Sequence, residues 1–180
     1  MAGHTGVFIV RLNIIKSVRR ALGAAAGALL VSVALPASPA AAVDLSKWDL
    51  VLNLNSRLCL EVSGWSTANG AGVDQWDCHG GANQQWMALP RGNARLIQNA
   101  QSGKCLEVKG WSTANGAAID QWDCHGGANQ LWQLRATSDY TVALYNVNSG
   151  KCLEIGGWSK SNGAPATQWD CHWGENQRWY

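Results

Sequence analysis

Apolar and polar positions alternate over short distances along most of this chain, with one exception near its start. Residues 21–35 form an unbroken run of Ala, Gly, Leu, Val and Ser. Beyond it the apolar stretches are short: "LVLNL" at 50–54, "CLEV" at 59–62 and 105–108, "RLIQNA" at 95–100, "YTVALYNV" at 140–147 and "CLEI" at 152–155. Such runs, bounded by Gly, Asn and Ser, predict strands. Three Asn-Gly pairs, Asn69-Gly70, Asn115-Gly116 and Asn162-Gly163, are tight-turn signals. "DQWDC" at 74–78 and 120–124, and "TQWDC" at 167–171, predict a returning strand before a glycine-rich loop and a closing Trp. No segment shows the 3.6-residue period of an amphipathic helix. The pattern predicts an all-β chain with about four short strands per unit.

The units repeat. Cys59, Cys105 and Cys152 stand 46 and 47 residues apart, and from each runs a gapless block of 28 residues: 59–86, 105–132 and 152–179. The first two blocks differ at only four positions, 63/109, 72/118, 73/119 and 85/131. The extra residue of the third period falls between blocks, after Trp132, so the blocks are structural units with boundaries near 43–90, 91–136 and 137–180. The Trp76-Asp77 pair and the period would also suit propeller blades. Propellers close with at least four blades, however, and a threefold all-β unit is the better fit.

The exceptional apolar run changes the charge balance. Arg11, Lys16, Arg19 and Arg20 precede it, and "PASPAAA" follows it with the small-residue pattern Ala40-x-Ala42. This predicts a removed secretory signal over residues 1–42, the alternative being a retained anchor; the run is shorter than the ~20 residues that span a bilayer. The segment carries four of the 14 basic residues and none of the 12 acidic ones, which leaves the remainder formally at −2. That remainder offers no basic face, so neither nucleic acid nor, after signal removal, a membrane is an expected partner. It is about the size of one domain, and it holds all 11 Trp and all six Cys. An even Cys count in an exported chain predicts three disulfides rather than zinc ligands.

The strings "GKCLEV" and "QWDC" and three Gln-x-Trp endings (84–86, 130–132 and 177–179) resemble the ricin B-type lectins, including the β-trefoil carbohydrate-binding modules of that family. The resemblance covers essentially the whole chain after the signal. It implies a β-trefoil, a six-stranded barrel capped by three hairpins, in which Trp86, Trp132 and Trp179 are core residues. Within each block two Cys are 19 residues apart, and the threefold self-similarity favours Cys59–Cys78, Cys105–Cys124 and Cys152–Cys171 among 15 possible connectivities.

The resemblance also implies a sugar pocket in each repeat. Trp76, Trp122 and Trp169 would be platforms, since an indole face suits the C–H face of a pyranose; the plainer reading is three more core tryptophans. Glu61, Glu107 and Glu154 would supply the carboxylate, and Asn83, Asn129 and Asn176 the amide. Gln84, Gln130 and Gln177 would give support, and His79, His125 and His172 a further hydroxyl contact. A carboxylate beside an amide or imidazole can read two adjacent hydroxyls, although each Glu alone could be a solvated strand residue. Asp74 and Asp120, two residues before the platform, join this set where the family often has Gln, and the third repeat has Thr167 there. Glu also replaces the family's usual Asp at 61, 107 and 154. Whether Trp65, Trp111 and Trp158 are buried or exposed is left open by the sequence.

Glu61 and Asp77 could pair as the acid and base of a glycosidase. Triplication argues against this, because turnover needs one cleft with two unlike carboxyl environments, whereas weak binding gains from repetition. The end at Tyr180, one residue past the last Gln-x-Trp, adds an expectation that no catalytic domain follows. The expected protein is a secreted, non-enzymatic carbohydrate binder without cofactor or metal, its sugars galactose- or xylose-type by resemblance. The runner-up is a β-trefoil that binds a protein, such as a hydrolase inhibitor. In the third repeat Trp173 replaces Gly80 and Gly126, and it is expected to fill that pocket.

Overall fold

A computed structural model describes residues 46–137 and 140–180; the expected signal over 1–42 lies outside them. Among the described residues, eleven strands form one antiparallel system, with four in each of the first two repeats and three in the last. The first repeat contributes β1 (Asp49–Leu50), β2 (Cys59–Val62), β3 (Ala71–Trp76) and β4 (Gln85–Arg91). The second contributes β5 (Ala94–Asn99), β6 (Cys105–Val108), β7 (Ile119–Trp122) and β8 (Leu131–Ala136). The third contributes β9 (Val142–Asn146), β10 (Cys152–Ile155) and β11 (Ala164–Trp169).

The barrel closes through an unbroken cycle of pairings. β1 pairs β4, β4 pairs β5, β5 pairs β8 and β8 pairs β9. Trp179 then bridges both Val142 of β9 and Asn53 just past β1, so a single bridging residue takes the place of a sixth strand. The hairpins β2–β3, β6–β7 and β10–β11 cap one end. They meet one another where β3 pairs both β7 and β11, and where Ala118 bridges Thr167. This is the β-trefoil.

Burial along the Cys-Leu-Glu-Val strand explains how the repeat builds both core and pocket. All four residues of β2, β6 and β10 are buried. Side chains alternate between faces, so Leu60 and Val62 enter the hydrophobic core while Cys59 and Glu61 turn to the opposite face. Trp86, Trp132 and Trp179 fill the centre of the core, as expected. Their indole N–H groups donate to the Leu60, Leu106 and Leu153 carbonyls at 2.9, 3.0 and 3.3 Å, so no polar atom is stranded there. The three disulfides join Cys59 to Cys78, Cys105 to Cys124 and Cys152 to Cys171, the intra-repeat pattern expected from the spacing. Cys78 is therefore committed to a bridge and cannot serve beside His79 as a thiolate ligand.

The Asn-Gly turns have a second task that the strand pattern does not reveal. Gly70, Gly116 and Gly163 hold φ of 80°, 77° and 76°, the left-handed region that glycine tolerates. Each preceding Asn reaches into another repeat. Asn69 donates to Asp123 Oδ2 at 2.8 Å and accepts the Asp123 backbone N–H at 3.0 Å. Asn115 does the same with Asp170, and Asn162 with Asp77. Buried Gln75, Gln121 and Gln168 lace the same seams by donating to two backbone carbonyls of another repeat's loop. The three repeats are linked head to tail in a ring.

Candidate functional site

Each repeat carries one cavity on the cap, built from matching residues. Glu61, Gly64, Trp65, Trp76 and His79 line the first, of about 380 Å³. Glu107, Gly110, Trp111, Trp122 and His125 line the second, of about 320 Å³. Glu154, Gly157, Trp158, Trp169, His172 and Asn176 line the third, of about 240 Å³.

The carboxylate at the base is buried and held from one side. Glu61 Oε2 accepts from Gln84 Nε2 at 2.9 Å and from Asn83 Nδ2 and His79 Nε2 at 3.3 Å. Glu107 Oε2 accepts from Gln130 at 2.9 Å and His125 at 3.3 Å. Glu154 Oε2 accepts from Gln177 at 3.0 Å and Asn176 at 3.3 Å, with His172 Nε2 at 3.4 Å. These donors all converge on Oε2, so each carboxylate is fixed in position while Oε1 makes no hydrogen bond among the described residues. A carboxylate held this way keeps acceptor capacity for a ligand.

The imidazole beside it has a defined tautomer. Gly81, Gly127 and Gly174 each donate a backbone N–H to the Nδ1 of His79, His125 and His172, at 3.1, 3.0 and 3.2 Å. An Nδ1 that accepts carries no proton, so the ring proton is on Nε2 and is directed at the carboxylate. Gln84, Gln130 and Gln177 are wholly buried. Their Oε1 atoms accept the backbone N–H of His79, His125 and His172 at 2.9 Å, which makes them braces of the loop rather than lining of the cavity.

Asn83, Asn129 and Asn176 are also buried. Each Nδ2 donates to the carbonyl of Val62, Val108 or Ile155, and each Oδ1 is buried without a hydrogen-bond partner among the described residues. An unpaired buried acceptor is costly, and the same one recurs three times. Asp74 and Asp120 stand opposite Glu61 and Glu107 in strand register, as Thr167 stands opposite Glu154. Burial, followed by the neighbouring Glu107 charge, pushes the Asp120 carboxyl up to about 6, with Lys109 opposing. Asp74 is also raised by burial, but a 2.6 Å hydrogen bond from the Ser63 hydroxyl acts against this. The repeats therefore differ beneath otherwise matching cavities.

Trp76, Trp122 and Trp169 are exposed, so the core reading of these residues does not apply. Trp65, Trp111 and Trp158 are exposed too, and they line the cavities as a second aromatic in each. Their backbones hold φ of 58°, 58° and 56°, a left-handed conformation that costs a residue with a side chain about 1–2 kcal/mol. Each indole stacks on the imidazole of its repeat, with centroids 5.3, 6.0 and 5.8 Å apart and planes within 19–23°. The indole also lies over Gly81, Gly127 or Gly174, where an added Cβ would come within 2.3, 2.6 and 2.5 Å of it. One signal could have revealed this arrangement. Gly80 and Gly126 become Trp173 in the third repeat while Gly174 stays glycine, as does the Gly-Trp-Ser string in every block.

Trp173 does not fill the third cavity. Its indole lines a separate groove with Ala136, Thr137 and Arg178. The backbone explains this, because Trp173 keeps the φ of 61° that matches Gly80 and Gly126 at 71° and 73°. The loop therefore follows the same path, and the side chain leaves it on the outer side.

The fold matches known proteins. The designed threefold-symmetric protein ThreeFoil superposes with a TM-score of 0.72 at 34% identity, covering 73% of this chain and 95% of that one. An exo-β-1,3-galactanase from Clostridium thermocellum matches with a TM-score of 0.72 at 31% identity, over 74% of this chain but only 29% of the enzyme. The ricin B-like lectin of Macrolepiota procera, solved with lactose, shares the fold with a TM-score of 0.63 at 20% identity, over 76% of this chain and 95% of its own. Residues 47–179 match the profile described as the ricin-type beta-trefoil lectin domain, and the chain belongs to that family.

Proposed function

We propose that this protein is a secreted, non-catalytic lectin that binds polysaccharide or glycan at three sites, one per repeat. The observation that carries the reading is the recurrence in each cavity of an exposed indole beside a buried carboxylate whose free oxygen is presented by converging donors. Trp76, Trp122 and Trp169 serve as stacking platforms. Glu61, Glu107 and Glu154 accept from sugar hydroxyls, and His79, His125 and His172 line the same cavities. The buried Gln residues, with Asn83 and Asn176, hold that carboxylate in position, and Asp74 and Asp120 stand opposite it in strand register. Galactose- and xylose-type pyranoses are the candidate ligands, and repetition raises the retention of a polymer above that of any single site.

The three alike cavities support binding over catalysis, because each is lined by a single carboxyl group and turnover needs one optimised cleft rather than three copies. Secretion is supported by the signal-like residues 1–42 and by three disulfides. A glycan array, followed by pull-down on insoluble polysaccharide, tests the function. Wild-type protein is expected on at least one glycan class, with retention lost in Trp76→Ala/Trp122→Ala/Trp169→Ala. Inhibition of a hydrolase without binding to any glycan would instead identify a protein-binding trefoil.

A further inference from the structure

Resting on the carbohydrate-binding reading above, we infer that Trp65, Trp111 and Trp158 form a second aromatic wall that selects pyranoses with two apolar faces. Each cavity has two indoles from different elements. Trp76 stands at the end of β3, with its edge against the Gly163 turn of another repeat, where an added Cβ would lie 3.6 Å from Cζ3. Trp65 stands on the turn after β2, with one face against His79. Both indoles line the same cavity.

Three independent costs are accepted to keep Trp65 there. Its backbone is left-handed. The large side chain remains about half exposed and so gains little from burial. Position 81 must also stay without a Cβ, although the Gly81 φ of −67° would allow any residue. All three costs recur at Trp111 and Trp158. Local strain that persists at an exposed cavity points to a role at that cavity.

Two indoles give a sugar two surfaces to lie against. A pyranose whose hydroxyls are all equatorial, as in β-xylosides and β-glucosides, presents axial C–H groups on both faces. A galactoside has an axial hydroxyl that interrupts one of them. An aromatic wall rewards an apolar face and leaves an inserted hydroxyl unpaired. The platform alone accepts either sugar, and the second wall favours the all-equatorial one.

The test is titration of the intact protein with xylotriose and with methyl β-galactoside. Wild type is expected to bind xylotriose on the order of tenfold more tightly, the preference one well-formed aromatic contact supports. In Trp65→Ala/Trp111→Ala/Trp158→Ala that preference should vanish through weaker xylotriose binding, with the galactoside affinity within about twofold of wild type. Gly81→Ala/Gly127→Ala/Gly174→Ala provides a second route to weaker xylotriose binding, since an added Cβ displaces the indoles without deleting them, together with the stacked imidazoles 2.8 Å away. Far-UV and near-UV circular dichroism confirm that each variant is folded. Tighter binding of galactoside by wild type, or equal loss of both sugars in the folded Trp65→Ala/Trp111→Ala/Trp158→Ala variant, overturns the inference while leaving the lectin reading intact. Failure of wild type to bind any glycan removes both.

Discussion

Trp86 and Trp76 stand ten residues apart in one repeat, on consecutive strands, and meet opposite environments. Trp86 and its counterparts Trp132 and Trp179 are 0% exposed, with their N–H groups bonded to strand carbonyls. Trp76, Trp122 and Trp169 are 42–43% exposed at the mouths of the cavities. Both sets recur in register with equal regularity, so recurrence does not separate a residue that holds the fold from one that lines a cavity. The separation comes from strand geometry. Trp86 lies on the barrel strand β4, whose inner face looks onto the axis, whereas Trp76 closes a cap hairpin whose outer face is open. The interior set is fixed by packing and the rim set by the loops around it.

The largest expected effect lies on the interior side. Trp86→Ala should destabilise the protein by roughly 3–5 kcal/mol, measured by chemical denaturation with the disulfides intact. A loss below ~1 kcal/mol would mean that the centre of the barrel is not where the stability is concentrated. Next comes the rim. Trp76→Ala with Trp122→Ala should change stability by less than ~1 kcal/mol, yet remove most retention on polysaccharide, as measured by affinity electrophoresis. Unfolding of this pair would erase the distinction between the two sets.

The smallest effect tests a residue that belongs to neither side. Asp120 is as buried as the core, but it is charged at neutral pH and one of its oxygens has no partner. Its folded pKa of about 6 lies above the ordinary carboxylate value. The native state therefore holds the proton more tightly than the unfolded chain does, and stability falls as pH rises from about 4 to about 6. Asp120→Asn should raise the melting temperature at pH 7.5, and the difference should disappear at pH 4. Asp74→Asn should follow the same direction with a smaller gain, because the Ser63 hydroxyl already stabilises that charge. An equal response at pH 4 and 7.5 would show that the effect comes from packing rather than ionisation.

Much of the architecture was legible because it is periodic. The 19-residue Cys spacing, the Cys-Leu-Glu-Val strand and the closing Trp each recur in register, and disulfides, cap strands and core follow them. The candidate cavities were legible as residue types, with Glu61, Trp76 and His79 together in one of them. Relationships across repeats were hidden. Asn69 reads as a turn residue, and nothing near it in sequence indicates Asp123, 54 positions away. Burial was hidden as well, since the Gln84 that braces the loop and the Gln85 beside it are the same residue type. The third repeat was misread at Trp173 for a related reason. A large side chain beside a site suggests obstruction, but the left-handed backbone sends it the other way.

The ring of Asn-to-Asp contacts also determines where chemical ageing of this protein would be felt. Asn162-Gly163 is a dipeptide prone to spontaneous deamidation, and it is exposed on the surface. The attacking Gly163 nitrogen is held by the Gln75 carbonyl at 2.8 Å, which shelters the bond while the seam is closed. Should it convert, the new carboxylate would face Asp77 across a contact of 2.7 Å, and the repulsion would open the turn against which Trp76 rests. The lesion would sit in the last repeat and the damaged pocket in the first, 85 residues away. Storage damage would therefore migrate one position around the circle, and a peptide map of modified asparagines would name the wrong cavity unless it was read one repeat ahead.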